Sequence, residues 1–367
     1  PSVDTTRDAT RTVAPNKANP ARRVVGKSFN AAVGASYEID FWGKNRSAAE
    51  SKSALTDASI FDRQTVLLTV TSSVATTYFD WLAAAQRVKI AQENLAVAEK
   101  LLDALNRRFE QGLVSKLEVA QQQNVVETQR AAIPPLQLTA TKDRDALAIL
   151  LGRLPESLPE PTANFATIAE PDAPGGLPSE LLARRPDVQA AEADLRSAHA
   201  DINAARAAFF PSISLTAGAN VASSALDNLF NPGSQLLNYG AGLTQPIFEG
   251  GALTGQLEYS HAREEELTAN YHKAIVSAFA DVEDALATLH RATEQDAAQA
   301  NAETAAREAF TLSQQQFDGG IVDITSVLNT QRSLFSATDA RVQTRLARLS
   351  ATVGLYRALG GGWSKLD

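Results

Sequence analysis

The chain has 367 residues, a formal net charge of −8 and no cysteine. The surplus of acid argues against a nucleic-acid-binding protein, in which a basic stripe is expected. The lack of cysteine excludes disulfides, thiolate zinc sites and thiol nucleophiles. Methionine is also absent, so we expect that an N-terminal segment was removed or lies outside this sequence.

An irregular arm and a strand are predicted first. Residues 1–32 are polar and show no period over most of their length, which predicts a loop or arm. Residues 33–43 alternate, with Val33 and Tyr37 on an apolar face and Glu38 and Asp40 on the polar face. This period of two predicts a strand.

A long helical hairpin is predicted over residues 44–152. Neither Pro nor Gly occurs from 44 to 110, and apolar residues recur at alternating spacings of three and four from Leu67 to Phe109, with Thr77 as the one exception. Such heptads predict a coiled-coil-like helix of roughly 100 Å. Gly112 marks a tip turn, and a return helix follows with a kink or break expected at Pro134-Pro135.

The second half of the chain repeats this order. The segments predicted in it are a Pro-rich linker at 153–178, a helix at 179–210, two strands with an intervening loop at 211–249, a second long helix, tip turn at Gly320 and return helix at 250–362, and a tail at 363–367. No run of about 18 apolar residues occurs, so no transmembrane helix is predicted.

An offset of 208 positions relates the two hairpins without a gap. The matching pairs are Phe109 and Phe317, Gly112 and Gly320, Val119 and Val327, Gln123 and Gln331, Leu147 and Leu355, and Gly152 and Gly360. The sequence therefore predicts an internal duplication of a helical hairpin.

The alternating strands fit two environments, the core of a soluble sandwich or the wall of a membrane barrel whose apolar face meets lipid. Aromatic residues at the helix-proximal strand ends favour the membrane, because an interface girdle is expected there; they are Phe41, Trp42, Phe209, Phe210 and Phe248. Glu38 and Asp40 are then interpreted as facing a water-filled lumen. Three strands cannot close a barrel and an open edge cannot face lipid, so the chain is expected to oligomerise.

Four stretches carry a resemblance to a known family: ASYEIDFWG at 35–43, LPSELLARRPDVQAAEADLRSAHADINAARAAFFPSISLTAG at 177–218, LTQPIFEGG at 243–251 and LYRALGGGW at 355–363. The chain resembles the TolC-like outer membrane efflux proteins, most closely the OprM/NodT branch. The resemblance covers nearly everything from about residue 30 onward.

This resemblance implies a mainly α fold with membrane β strands, in which long coiled-coil-like hairpins form a periplasmic α-barrel continuous with a trimeric transmembrane β-barrel. It implies an exit duct in the outer membrane of a Gram-negative cell, and the Pro-rich linker becomes part of an equatorial collar. The implied partners are two further copies, outer membrane lipid, a periplasmic adaptor and an inner membrane transporter of the resistance–nodulation–division type. Members usually begin with a further helix and strand, and many carry a lipidated N-terminal cysteine; here only three strands are predicted.

The resemblance also places a gate at the tip turns. The positions six and nine after the turn glycine point into the constriction of such channels, where the second repeat often carries Asp. Here these positions hold Glu118 and Gln121 in the first repeat and Ser326 and Asn329 in the second. Phe109 and Phe317 precede the turns, and Asp318 and Asp323 could supply an alternative acidic ring. We expect Glu118 and Asp323 to give the tip cation preference; otherwise they are solvated helix ends.

Other functional classes receive little support from the sequence. The four histidines have no ligand spacing, and no cofactor, metal or catalytic site is predicted. Arg184-Arg185-Pro186-Asp187 is interpreted as a helix start rather than a basic site. The alternative to an efflux duct is a structural or adaptor coiled-coil protein without a channel, and a helical-bundle enzyme is disfavoured.

Overall fold

The structure, a computed structural model, describes residues 2–4, 29–159, 163–169 and 184–361. The chain divides into two compact units. The first contains Pro1–Asp57 and Glu192–Asn270, and the second contains Ala58–Ala191 and Tyr271–Asp367. The predicted tail at 363–367 and much of the predicted linker lie outside the described residues.

The first unit contains an antiparallel sheet of four strands in chain order. The strands are β1 (Ser2–Asp4), β2 (Phe29–Ile39), β3 (Ser212–Ser223) and β4 (Gln235–Thr244). Their register keeps apolar residues opposite one another, as in the row formed by Ala35, Ala217 and Tyr239. Polar or small residues share the other face, as in the row Ser36, Thr216 and Gly240. The strand alternation therefore holds over most of the sheet and fails near one end, where Leu236 pairs with Asn220 and Gln235 pairs with Val221.

Among the described residues, nothing covers the apolar face of this sheet. Tyr239 is 92% exposed, and Leu237 and Leu243 in the same strand are also largely exposed. Within the described residues, no helix has an apolar stretch that could cross a bilayer.

Two of the predicted strand boundaries are wrong. The arm predicted at 1–32 contains β1, which pairs with β2 from Ser2 opposite Gly34 to Asp4 opposite Ala32, and it also contains the start of β2. The sheet therefore has four strands instead of three. A three-residue edge strand is held by backbone hydrogen bonds and is too short for side-chain alternation to reveal it.

The strand predicted over 33–43 ends at Ile39. Asp40 lies beyond it, and its carboxylate accepts hydrogen bonds from the backbone N–H groups of Asn45 at 3.0 Å and Arg46 at 2.7 Å. Asp40 therefore satisfies free donors at the start of the next helix and is not part of the polar strand face. Likewise β4 ends at Thr244, so Ile247 follows the strand instead of belonging to it.

Five α-helices make up most of the rest of the described residues. They are α1 (Lys44–Glu110), α2 (Lys116–Leu150), α3 (Pro186–Ala207), α4 (Ala252–Asp318) and α5 (Ile324–Ala358). A shift of 208 positions superimposes the bounds of α1 on α4 and those of α2 on α5, so the two repeats have equal helix lengths of 67 and 35 residues. The internal duplication is therefore complete at the level of local structure.

Two helix predictions need correction. Of the kink or break predicted at Pro134-Pro135, the break does not occur, because α2 continues through both residues. The two prolines are exposed, so water can satisfy the carbonyls that lose their helical partners. The helix predicted over 179–210 ends at Ala207, and Phe209 and Phe210 lie in the turn that precedes β3.

The hairpins of the second unit pack around a core of aliphatic side chains near the tip turns. Leu105 of α1, Val126 of α2 and Ile324 and Val327 of α5 are almost completely buried in it. The heptad seam of α1 is thus buried as far as Leu105, while its two ends at Phe109 and Leu67 are exposed in this chain.

The described part of the Pro-rich linker is docked on the second unit. Phe165 is only 3% exposed and packs with Leu82 and Val342. Arg345 of α5 donates hydrogen bonds to the backbone oxygens of Phe165 at 3.2 Å and Ile168 at 3.0 Å. The linker is therefore held by both apolar and polar contacts.

Ion pairs join the middle of α5 to α4 and to α1. Asp296 of α4 is 2% exposed and is paired with Arg341 and Arg348. On the other side, Arg87 of α1 binds both carboxylate oxygens of Asp339 at 2.6 and 3.0 Å. Because a buried carboxylate requires its partners, these contacts select one arrangement of α1, α4 and α5.

Two carboxylates of the first hairpin occupy an unfavourable environment. Partial burial raises the pKa of Asp80 in α1 and of Asp143 in α2, and the charge of Asp80 raises the pKa of Asp143 further. The folded chain therefore holds protons at these carboxyls more tightly than the unfolded chain does. Their contribution to stability is greatest at low pH and is lost as the pH rises through the raised pKa values.

We predict that Asp143→Asn raises the midpoint of thermal unfolding by a few degrees at pH 7, because it removes an ionised, partly desolvated group. The gain should shrink as the pH falls, because protonation then removes the charge from the native carboxyl. Asp103→Asn, at an exposed site of α1, is the control and should change little at either pH. Destabilisation at pH 7 would contradict the prediction.

We predict that Gly320→Ala destabilises the hairpin by about 1–2 kcal/mol, because its φ of +70° is a conformation that a Cβ disfavours. No atom lies within 4 Å of the added Cβ, so the cost is conformational. Gly255→Ala, inside α4 with equally open surroundings, should instead stabilise slightly. Thermal unfolding followed by the helical signal would measure both, and equal effects would refute the argument.

Candidate functional site: the hairpin tips and strand ends

The two tip turns, residues 111–115 and 319–323, share one backbone design. Gly112 has φ +72° and Gly320 has φ +70°. In the first turn the N–H of Gly112 donates to Phe109 O and that of Leu113 to Arg108 O. The N–H groups of Gly320 and Ile321 make the equivalent bonds in the second turn. Each long helix therefore ends in a glycine-dependent Schellman-type cap.

The predicted gate residue Glu118 takes part in a helix cap. Ser115 precedes α2, its hydroxyl accepts from the N–H of Glu118, and the Glu118 carboxylate accepts from the N–H of Ser115. This reciprocal capping box satisfies two donors at the start of α2. The hydrogen bond to the N–H of Ser115 thus holds the Glu118 carboxylate beside the tip turn.

Asp323 caps the second return helix in the matching position. Its Oδ1 accepts hydrogen bonds of 3.0 Å from the backbone N–H and from the hydroxyl of Ser326. The two residues that sequence reasoning treated as separate tip positions are therefore one hydrogen-bonded unit. A carboxylate at this position also interacts favourably with the helix dipole.

An ion pair that the sequence did not reveal links the two hairpins. Nη2 of Arg108 donates to Oδ1 of Asp318 at 2.8 Å, and the Arg108 guanidinium carbon lies 4.5 Å from the centre of the Phe317 ring. Arg108 thus binds the acid and the aromatic ring that precede the other turn. The partner of Arg108 is 210 positions away in the sequence. The available signal was that the first repeat has Arg-Phe-Glu at 108–110, where the second has Gln-Phe-Asp at 316–318.

The other predicted tip residues are not drawn into one cluster. Phe109 is 44% exposed, whereas Phe317 is partly buried against the core near the tips. Gln121 is partly buried and Asn329 is exposed. The backbone oxygen of Asn329 accepts from the Ser333 hydroxyl.

Aromatic residues do gather where strands give way to helices. The rings of Trp42 and Phe210 stack with centroids 4.6 Å apart, and Phe41 meets Trp42 edge-on at 4.9 Å. Nε1 of Trp42 donates to the backbone oxygen of Pro211 at 2.9 Å. Phe209 is the least exposed of this predicted set, and Phe248 is 88% exposed.

Of the two carboxylates assigned to the polar strand face, Glu38 remains there, opposite Ser214. Its carboxylate lies 3.8 Å from the ammonium of Lys44. Asp40, as described above, caps α1. Of the predicted pair, only Glu38 therefore lies on a strand.

Arg185 has a structural setting that agrees with its interpretation as part of a helix start. It is 8% exposed and binds the carboxylates of Asp187 at 2.6 Å and Asp281 at 2.8 Å, and its guanidinium donates to Ala358 O at 3.1 Å. Burial alone would raise the pKa of Asp187, but the hydrogen bond and charge of Arg185 bring that pKa below its ordinary value. The contacts of the Arg185 guanidinium named here are thus all made within the fold.

Comparison with known proteins agrees with the sheet and the two helical hairpins described above. The sequence model of the outer membrane efflux protein family matches residues 1–153 and 177–361. The pyoverdine export outer membrane protein OpmQ of Pseudomonas aeruginosa is 43% identical over 337 residues, which are 92% of this chain and 70% of that protein.

Solved structures show the same fold. The open state of the MtrE outer membrane channel of Neisseria gonorrhoeae is 31% identical and superimposes with a TM-score of 0.85 over 99% of this chain and 81% of that one. A second solved structure is that of CusC, from work on its folding and transmembrane channel formation. CusC is 30% identical to this chain, and the two superimpose with a TM-score of 0.86 over 98% of this chain and 84% of the CusC chain. The predicted fold class and outer membrane location are confirmed, and the chain belongs to the outer membrane efflux protein family.

Proposed function

We propose that this chain is the exit duct of a tripartite efflux system, which conducts small molecules passively from the periplasm to the outside. The observation that supports this most directly is the sheet, with its apolar face open and its polar face opposite. Residues such as Leu237, Tyr239 and Leu243 are largely exposed on a sheet whose other face carries mostly Ser, Thr, Asn and Gly, together with Glu38 and Leu236. Lipid on one face and water on the other would satisfy both surfaces.

The edges of the sheet support a homotrimer. Within the described residues, β1 pairs only with β2 and β4 only with β3, so both outer strands have unpaired backbone groups. In lipid each such group costs several kcal/mol, and closure with neighbouring strands removes the cost. Three copies of four strands would give a twelve-stranded barrel, which is the number that the family resemblance implies.

The partners follow from this role. A passive duct needs a transporter in the inner membrane to supply energy and select substrates, and a periplasmic adaptor to join the two. A transporter of the resistance–nodulation–division type is the partner that the OprM/NodT resemblance favours. The exposed side chains of the sheet, including Tyr239, would contact outer membrane lipid.

The alternative of a coiled-coil scaffold without a channel explains less. A scaffold would gain nothing from an apolar sheet face that is left uncovered, because exposed apolar patches of this size promote aggregation. The stacked aromatics at the helix-proximal strand ends, such as Trp42 and Phe210, also have a direct role only where strands meet a membrane interface.

We predict that Tyr239→Arg impairs membrane insertion, whereas Asn238→Arg on the adjacent residue does not. Tyr239 is on the apolar face and Asn238 on the polar face of the same strand, and an Arg facing the centre of the bilayer costs about 2–4 kcal/mol. The yield of trimer in outer membranes and the number of conducting channels in planar bilayers would report this. Equal effects, or a wild-type protein that never conducts, would overturn the proposed function.

We further propose that the carboxylates of Glu118 and Asp323 give the duct cation preference at its periplasmic tip. Each lies beside a tip turn and is fixed by a helix cap. Fixed like charges around a narrow opening favour passage of the opposite charge.

The test uses Glu118→Gln with Asp323→Asn, because Gln still completes a capping box and Asn still caps a helix. The expected result is a reversal potential in a salt gradient that moves toward zero while thermal stability is almost unchanged. Asp323→Ala is the structural control and should lose about 1 kcal/mol of stability. An unchanged reversal potential in the double variant would show that these carboxylates do not line the opening.

A further inference from the structure

A cavity of about 260 Å³ lies where the strands give way to the helices, and its lining residues all belong to the first unit. Glu38, Ser212 and Thr244 line it. All three lie in polar rows of the sheet, since Glu38 is opposite Ser214 and Ser212 is opposite Thr244. This junction cavity therefore adjoins the polar face of the sheet.

The lining of the junction cavity includes a fixed pair of aromatic rings. Trp42 and Phe210 both line it, and their rings stack with centroids 4.6 Å apart. The indole N–H of Trp42 donates to the backbone oxygen of Pro211 at 2.9 Å, so the ring is held in one orientation by the chain itself. A fixed aromatic face attracts a cation that comes within about 6 Å of its centre.

The charged side chains around the junction cavity do not balance. The carboxylates of Glu38, Asp40 and Glu249 line it, and Lys44 is the one cation among its described lining residues. Lys44 lies 3.8 Å from Glu38, and Asp40 accepts hydrogen bonds from two backbone N–H groups at the start of α1. Within the described part of the chain, the Glu249 carboxylate has no ion pair or hydrogen bond. One negative charge is therefore left without a partner at the cavity.

Aromatic rings beside an unpaired carboxylate are suited to an organic cation. The rings of Trp42 and Phe210 favour both the apolar body and the positive charge of an alkylammonium group, and Glu249 supplies the opposite charge. Sites for whole drug-sized molecules measure about 300–1,000 Å³. The junction cavity therefore fits a single ring with its ammonium group, which is one end of a larger amine.

We propose that the junction cavity binds the ammonium-bearing end of aromatic amines on the inner wall of the duct. This step rests on the proposed function, in which the polar face of the sheet meets the water that carries the solute. Passage requires binding that is favourable enough to admit a solute and weak enough to release it. The wall of the duct thus contributes to the choice of solute by favouring amines over neutral and anionic aromatic molecules.

Binding of phenethylammonium to the purified full chain, measured by ligand-observed NMR, tests the charge requirement. The neutral probe phenethyl alcohol should bind more weakly than the ammonium. Glu249→Gln should weaken binding of the ammonium about fivefold, as expected for an exposed ion pair, and leave the alcohol unchanged. Glu258→Gln is the matched control, because it removes an exposed acid of α4 that does not line the cavity. Equal affinity for the two probes, or equal effects of the two Gln variants, would overturn the inference.

Two further variants test the rings and the sign of the charge effect. Trp42→Leu should weaken binding of the ammonium about fivefold, and Trp42→Phe, which keeps an aromatic face, should retain most of it. Lys44→Gln should tighten binding, because it leaves Glu38 unpaired. Weaker binding by Lys44→Gln would contradict the inference. This measurement and that on Glu249→Gln stand even if Trp42→Leu does not fold.

A single thiol tests whether the junction cavity faces water. The chain has no cysteine, so Ser212→Cys introduces the only one. In lipid vesicles a cationic methanethiosulfonate reagent should modify this thiol, and phenethylammonium should slow the reaction unless Glu249→Gln is also present. A thiol that does not react in a conducting protein would refute the inference.

The inference and the proposed function can fail separately. A trimer that conducts, but binds the ammonium no more tightly than the alcohol, would refute the inference alone. A protein that binds the ammonium through Glu249 but never conducts would refute the passage of solute, and with it both the proposed function and the role of the cavity in transit.

Discussion

The unpaired backbone at the edges of the sheet is the constraint on which the rest of the structure depends. Within the described residues, strand β4 has a neighbour on one side only, and the side chains on its outward face are apolar. If the sheet lies in a bilayer as we propose, water is not available to satisfy the free edge, and the strand would pair with another chain. Assembly would then follow from hydrogen bonding before any contact between the helices is considered.

At the tips, a repeated backbone carries chemistry that is not repeated. The glycine turns agree to within a few degrees at φ, and each return helix begins with a capped N-terminus. The caps nevertheless use different residues, a Ser115–Glu118 box in one and Asp323 with Ser326 in the other. Only one hairpin has an arginine aimed at its neighbour. In the proposed trimer, the equivalent backbones would permit a near-six-fold ring, and these side chains would reduce its symmetry to three-fold.

Much of the fold could be predicted from the sequence because it depends on local periods. The heptad spacing, the glycines and the strand alternation are properties of neighbouring residues, and the offset of 208 is visible without a structure. Strand β1 was missed because three residues carry no period, and Asp40 was assigned to a strand because alternation continues past the last backbone pair. Arg108 was missed because its partner is remote in sequence. The capping box was missed although Ser115 and Glu118 have the spacing that indicates one, because the family resemblance directed attention to a gate at the same position.

The equal lengths of the corresponding helices have a consequence for how such a chain can change. Inserting one residue into α1 would advance its tip by about 1.5 Å and rotate the following residues by about 100°. The apolar stripe that buries Leu105 would then turn away from its neighbours. A length change would be tolerated only if it came in whole heptads and in α4 as well as α1. The surface of this chain can therefore change one residue at a time, whereas the lengths of its long helices can change only by whole heptads and in both repeats together.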